Sequence, residues 1–173
     1  MEFIFETLYD QKALSIMARA LRKTIRKKHS KRSHIFGILI IILAILLSFK
    51  GNTEGFTLTS NFIITWIVII IMVLALIFED SLNAFFAKKR ALPGTEKAVT
   101  TFKEDVYVSE TNAGRTEFFY GNINILAESD GYFIFVFNQN HAQLFDKNNI
   151  VQGTSDEFRK FITEKTGKEI QKI

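Results

Sequence analysis

The residues with the means to do chemistry are few in this chain. Cysteine is absent, which excludes thiolate nucleophiles, disulfides and cysteine-bound zinc. The three histidines, His29, His34 and His141, lie in a basic stretch, at the edge of an apolar run and in a strand-like segment. None stands at ligand spacing from a carboxylate pair, so no metal site is expected. His141 reads as a half-buried sheet residue. The acidic pairs Glu79-Asp80 and Glu104-Asp105 are adjacent in sequence, and neighbouring side chains diverge on both helices and strands, whereas acid and base catalysis needs groups that converge on one substrate. Glu79-Asp80 is therefore read as the stop of an apolar run and Glu104-Asp105 as a turn. There is no glycine-rich phosphate loop and no G-x-S-x-G elbow, so neither a cofactor nor a catalytic residue is expected.

What remains is positive charge. Residues 1–33 carry nine Lys/Arg against three Asp/Glu, whereas residues 98–173 carry eight against eleven. Arg19, Arg22, Lys23, Arg26, Lys27 and Lys28 precede the first apolar run, and Lys88, Lys89 and Arg90 follow the second. These nine are the candidate contact residues for anionic lipid headgroups, each cation near such a surface being worth about 1 kcal/mol. A nucleic-acid partner is not expected, because no nucleic-acid-binding motif accompanies the basic stretch.

The elements that position these cations are two runs free of Asp, Glu, Lys and Arg, Ile35 to Phe49 and Phe62 to Phe78. As helices they measure about 22 and 26 Å, close to the ~30 Å hydrocarbon thickness of a bilayer once uncharged flanks are added. A buried pair in a soluble domain would need a core larger than this chain can wrap around it. The reading is a membrane hairpin with spans at about residues 34–50 and 58–78. Because Lys and Arg flank its two open ends and the connection holds only Lys50 and Glu54, both termini are expected on the cytoplasmic side and the loop outside. No cleavable leader is expected ahead of the first span.

Around the hairpin, Glu2 to Tyr9 alternates as a strand, with Phe3, Phe5 and Tyr9 on one side. From Asp10, a plausible N-cap, Leu14, Met17, Ala18, Leu21 and Ile25 share one helical face opposite the cations, predicting a basic helix that lies on a membrane surface. Leu82, Phe85 and Phe86 continue helical spacing past the second span until Pro93-Gly94, so residues 79–97 form a juxtamembrane helix and linker. Strands are predicted at Ala98 to Phe102, Asp105 to Ser109, Thr116 to Tyr120, Asn122 to Ala127, Tyr132 to Phe137 and Ala142 to Phe145, broken by Asn112-Ala113-Gly114, Asp130-Gly131 and Asn138-Gln139-Asn140. Tyr132 to Phe137 is apolar on both faces and should be a covered central strand. Thr154 and Glu157 make a capping box for a last helix that buries Phe158, Phe161 and Ile162 and stops at Gly167. The expected fold class is an α+β membrane protein: a transmembrane hairpin, residues 34–78, between an N-terminal strand and basic helix, residues 1–33, and a pleckstrin-homology-like domain, residues 98–173. That domain is a bent antiparallel sheet closed by the terminal helix, and Glu2 to Tyr9 is expected to join it.

The segments Thr100-Thr101-Phe102-Lys103-Glu104-Asp105, Phe119-Tyr120-Gly121-Asn122-Ile123, Asp130-Gly131-Tyr132-Phe133-Ile134-Phe135, Asp146-Lys147 and Asp156-Glu157-Phe158-Arg159-Lys160-Phe161-Ile162 resemble the YcxB-like family of bacterial membrane proteins. The order of parts is similar along nearly the whole chain. One departure is Asp146, where members often place a proline before the lysine. The resemblance implies a bacterial cytoplasmic membrane protein and no catalytic residues. Two functions suit a small two-span protein of this kind. One is a non-enzymatic interaction module on the inner face of the membrane, binding a protein partner or sensing the envelope. The other is an immunity protein that neutralises a membrane-active toxin within the bilayer.

Overall fold

The computed structural model describes residues 2–50, 59–129 and 131–173, the side chain of Lys50 excepted. The expected outward loop therefore falls largely outside the described residues, as does Asp130 of the Asp130-Gly131 turn. Among the described residues the fold is α+β, with five α-helices and two sheets.

The chain begins with β1 (Phe3–Leu8), α1 (Gln11–Lys23), α2 (Lys27–Lys50), α3 (Ser60–Ile77) and α4 (Glu79–Arg90). Asp10 caps α1 as its sequence suggested, accepting from the Ala13 amide at 2.7 Å. The basic helix is not continuous, however, and breaks over Thr24 to Arg26. The Thr24 hydroxyl turns back to the Ala20 carbonyl at 2.6 Å, β-branched Ile25 follows, and Arg22/Arg26 and Lys23/Lys27 would be like-charged neighbours one turn apart in an unbroken helix. The first apolar run thus belongs to a helix that starts at Lys27 rather than at residue 34. α2 and α3 are both long and apolar enough to cross a membrane, and almost none of their apolar windows is covered by protein, 0% for α2 and 6% for α3. Buried core helices of a soluble domain would show the opposite. α3 begins on the Thr59 cap and ends at Phe78, where α4 takes over at once.

The rest of the chain builds β2 (Lys97–Phe102), β3 (Val106–Thr111), β4 (Gly114–Phe119), β5 (Ile125–Ser129), β6 (Tyr132–Asn138), β7 (His141–Asp146), β8 (Ile150–Gln152), α5 (Ser155–Thr166) and β9 (Ile170–Lys172). The single bent antiparallel sheet expected from sequence is in fact two sheets, β4-β3-β2-β1-β8 and β7-β6-β5-β9, and β9 runs parallel to β5. The three-residue strands β8 and β9 carry too little pattern to be read from sequence. β1 does join the soluble part, and it lies inside its sheet: Phe3 pairs with Phe102 and Leu8 with Lys97 on one side, and Phe5 with Ile150 on the other. A domain drawn at residues 98–173 therefore lacks one of its own inner strands.

Phe3, Phe5 and Phe102 of the first sheet meet Phe133, Phe135 and Phe145 of the second, all at most 1% exposed. Phe158 of α5 fills the space between the sheets, with ring centroids 4.6 Å from Phe5, 4.7 Å from Phe102 and 5.0 Å from Phe133, mostly edge to face. Gly153 is needed beside it. Its φ of +89° disfavours any side chain, and a Cβ there would overlap the Phe3 ring.

β6 is covered on both faces as expected, and the second cover is α1. Ala13, Ala20 and Leu21 pack on Tyr132, Ile134, Val136 and Leu144, on the side opposite Phe133 and Phe135. This corrects the expectation that the apolar face of the basic helix rests on a membrane: that face is turned into the protein. Besides α2 and α3, α4 also carries an uncovered apolar stripe, where Leu82, Phe85 and Phe86 are all exposed.

Candidate functional site

α1, α2, α3 and α4 meet at the head of the hairpin, where both interhelical breaks fall. Arg22 of α1 reaches across to Asp80 in the first turn of α4 and donates from Nε at 2.7 Å and from Nη2 at 2.6 Å, a two-pronged pairing that holds both planes in register. Arg19 Nε lies 3.5 Å from the same carboxylate. Asp80 and Glu79 raise the Arg22 guanidinium above its ordinary range, the hydrogen bonds to Asp80 being the larger cause. Glu79 faces His34 of α2, with 3.2 Å between His34 Nε2 and the buried Glu79 Oε2, in a geometry that is not a hydrogen bond. The other ring nitrogen of His34 sits 2.9 Å from the Ser30 carbonyl. Gln11 donates to the Ser81 carbonyl at 2.9 Å. The acidic pair read as a stop signal is thus the socket into which α1 and α2 are plugged, a role carried by residues 58 positions apart and invisible to local pattern.

The nine predicted contact cations separate into four groups. Arg19 and Arg22 are taken up by Asp80. Arg26, in the break, binds the β6–β7 turn through the Gln139 carbonyl at 2.6 Å and Asn140 Oδ1 at 3.1 Å. Lys23, Lys27 and Lys28 stand at the α1–α2 junction, and Lys88, Lys89 and Arg90 form the last turn of α4. Beside the junction opens a cavity of about 560 Å³ to which β9 contributes Lys172, a residue that sequence reasoning missed because nothing local marks the chain's last strand as a neighbour of α2.

On another face lies a cleft of about 430 Å³, where Leu14 and Met17 of α1 face Ser109, Thr116 and Phe118 of β3 and β4. Tyr9 and His141 also line it. Burial pushes the Tyr9 phenol up to about 12 and pushes His141 down, so both are neutral at pH 7. β4 flanks this cleft as the outer strand of its sheet, and most of its residues are exposed.

A third polar cluster is structural. Glu128 of β5 accepts from Lys147 at 2.5 Å and from Arg159 at 2.7 and 3.1 Å, and these hydrogen bonds hold its carboxyl at about 2, well below the usual carboxylate range. Asp146, the departure noted in the sequence, caps the turn that carries Lys147 by accepting from the Asn148 amide at 2.9 Å. Among the described residues no three of His, Asp and Glu are grouped to hold a metal ion. Comparison of the chain with protein families, with curated proteins and with solved structures finds no match.

Proposed function

We propose that the protein is a membrane-anchored, non-enzymatic binding module of the YcxB-like kind on the inner face of a bacterial cytoplasmic membrane. α2 and α3 cross the bilayer with both termini cytoplasmic, and the two-sheet domain, pleckstrin-homology-like in its aromatic core and terminal helix, binds a protein partner. The observation that carries this reading is the cleft between α1 and β3–β4. It is largely apolar, it has neutral Tyr9 and His141 in its wall, and it is bounded by the outer strand β4. The uncovered flanks of α2 and α3 support the anchor.

A photo-crosslinking residue in place of the exposed Ala91, which lines the cleft, should capture a discrete protein partner in intact cells of the host. Thr116→Arg, which fills the cleft from β4, should abolish the adduct. The reading fails if the same adduct forms from a probe at Lys160 on α5, or if Thr116→Arg leaves it unchanged. Identification of the captured partner as a membrane-active toxin would select the immunity role.

A further inference from the structure

Several of the cations that line the cavity at the hairpin head have no carboxylate partner among the described residues. Arg19, Arg22, Lys97, Arg115, Lys147 and Arg159 each have a carboxylate partner. Lys23, Lys27, Lys31 and Lys172, which all line this cavity, have none among the described residues. Lys27 and Lys31 stand one turn apart on α2, an arrangement that is mutually repulsive until an anion lies between them. Of the nearby carboxylates, Asp80 is taken up by Arg19 and Arg22, and Glu79 lies 3.8 Å from Arg22, so neither pairs with these four lysines.

Past His34 the surface changes character. A second cavity, of about 240 Å³, opens between α2 and α3; Ser33, His34 and Glu79 line it together with Gly37, Met72, Ala75 and Leu76. Its size depends on small residues: a Cβ at Gly37 would already stand 3.4 Å from the Leu76 side chain. His34 lines both cavities. A ligand that fits both needs an anionic head and an apolar tail, in the order in which α2 passes from its lysines into its apolar run.

We propose that the two cavities form one site for a single anionic phospholipid, its phosphate among Lys23, Lys27, Lys31 and Lys172 and one acyl chain along Gly37 and Ala75. This rests on the reading that α2 and α3 span a bilayer. It goes beyond general adhesion of a basic segment to lipid, because Lys172 comes from β9 of the sheet domain, so the headgroup is gripped by both halves of the molecule.

The test uses the full chain in nanodiscs of phosphatidylcholine doped with phosphatidylglycerol that carries a photoactivatable acyl chain, with adducts mapped by peptide mass spectrometry. Labelling should concentrate at Gly37 and Ala75 over the outer positions Leu43 and Ile71. Unlabelled phosphatidylglycerol should compete, while phosphatidylcholine and inorganic phosphate should not. Lys31→Gln and Lys172→Gln should each lower labelling at Gly37 and Ala75 about fivefold, and Lys160→Gln should leave it unchanged. Equal competition by phosphatidylcholine, displacement by inorganic phosphate, or lysine variants that label like the parent at an unchanged unfolding midpoint each overturn the site. Labelling at Leu43 and Ile71 without preference for Gly37 and Ala75 overturns it and leaves the spans standing. No labelling at any of these positions removes the spanning reading with it.

Discussion

At the scale of single residues, two positions carry more of the fold than their surroundings suggest. Glu128 is a carboxylate only 9% exposed that is acceptable inside because Lys147 and Arg159 satisfy it, with Lys147 also lying 4.9 Å over the Phe133 ring. Its carboxyl sits at about 2 against an ordinary 4.5, so the folded state favours the ionised form. That contribution is fully present above pH 4.5 and is lost as pH falls toward 2. Glu128→Gln is expected to cost about 2 to 3 kcal/mol at neutral pH and to flatten the acid limb of the stability curve, as urea midpoints measured from pH 7 down to pH 3 will show. An acid limb identical to the parent's would assign the pH dependence to other groups. Gly153→Ala sets a different constraint. A methyl group must displace the Phe3 ring from a filled core and sit at positive φ, so a loss of about 2 kcal/mol or more is expected in the same urea titration. Gly121, whose added Cβ would meet nothing within 4 Å, is the control, and its alanine variant should stay within about 0.5 kcal/mol of the parent.

At the scale of elements, β1 is the test of the architecture. Phe3 and Phe5 are fully buried, and truncating a buried Phe costs about 3 to 5 kcal/mol, so changing both to serine removes as much stability as a domain of this size commonly has. The fragment from residue 96 to 173 should not fold alone, and a synthetic peptide of residues 2–9 should restore its near-ultraviolet circular dichroism. A cooperative unfolding transition of the fragment without the peptide would show that β8 and β2 can close the sheet between themselves. The junction makes a second test: Arg22→Asp and Asp80→Arg should each loosen α1 from α4, read as faster hydrogen exchange in both helices, and the double exchange should recover protection. Much of this was legible beforehand wherever the signal is local. Charge-free runs announce α2 and α3, alternation announces β1, a run apolar on both faces announces β6, and the capping box announces α5, with Thr154 and Glu157 2.7 Å apart and Gly167 in the left-handed region. What was not legible is what each surface meets. The stripe of Leu14, Met17 and Leu21 on α1 suits a sheet or a lipid surface equally well, and only the covered outer face of β6 decides for the sheet. Arg22 and Asp80, or Lys172 and Lys31, are brought together by tertiary structure, which leaves no trace in spacing.

At the scale of the whole molecule, the proposed orientation puts the head of the hairpin and the entire sheet domain on the cytoplasmic side. The chain has no cysteine of its own, so an introduced one reports position directly. Cysteine at Ser60, at the start of α3, should react with an impermeant maleimide on intact cells, and cysteine at the exposed Glu164 of α5 should react only after lysis. The reverse pattern would invert the topology. The pairing of β1 with β2 adds a temporal demand to this spatial one, because Leu8 and Lys97 are partners in the ladder while both apolar helices lie between them in the chain. The first strand leaves the ribosome early and has nothing to pair with until the hairpin has been made and inserted. If α3 failed to return, β2 would be delivered to the far side and β1 would be left with its backbone groups unpaired. In the proposed arrangement, a chain in which only one of the two apolar helices inserts leaves β1 and β2 on opposite sides and cannot assemble its aromatic core, so folding of the domain would report that both helices have crossed.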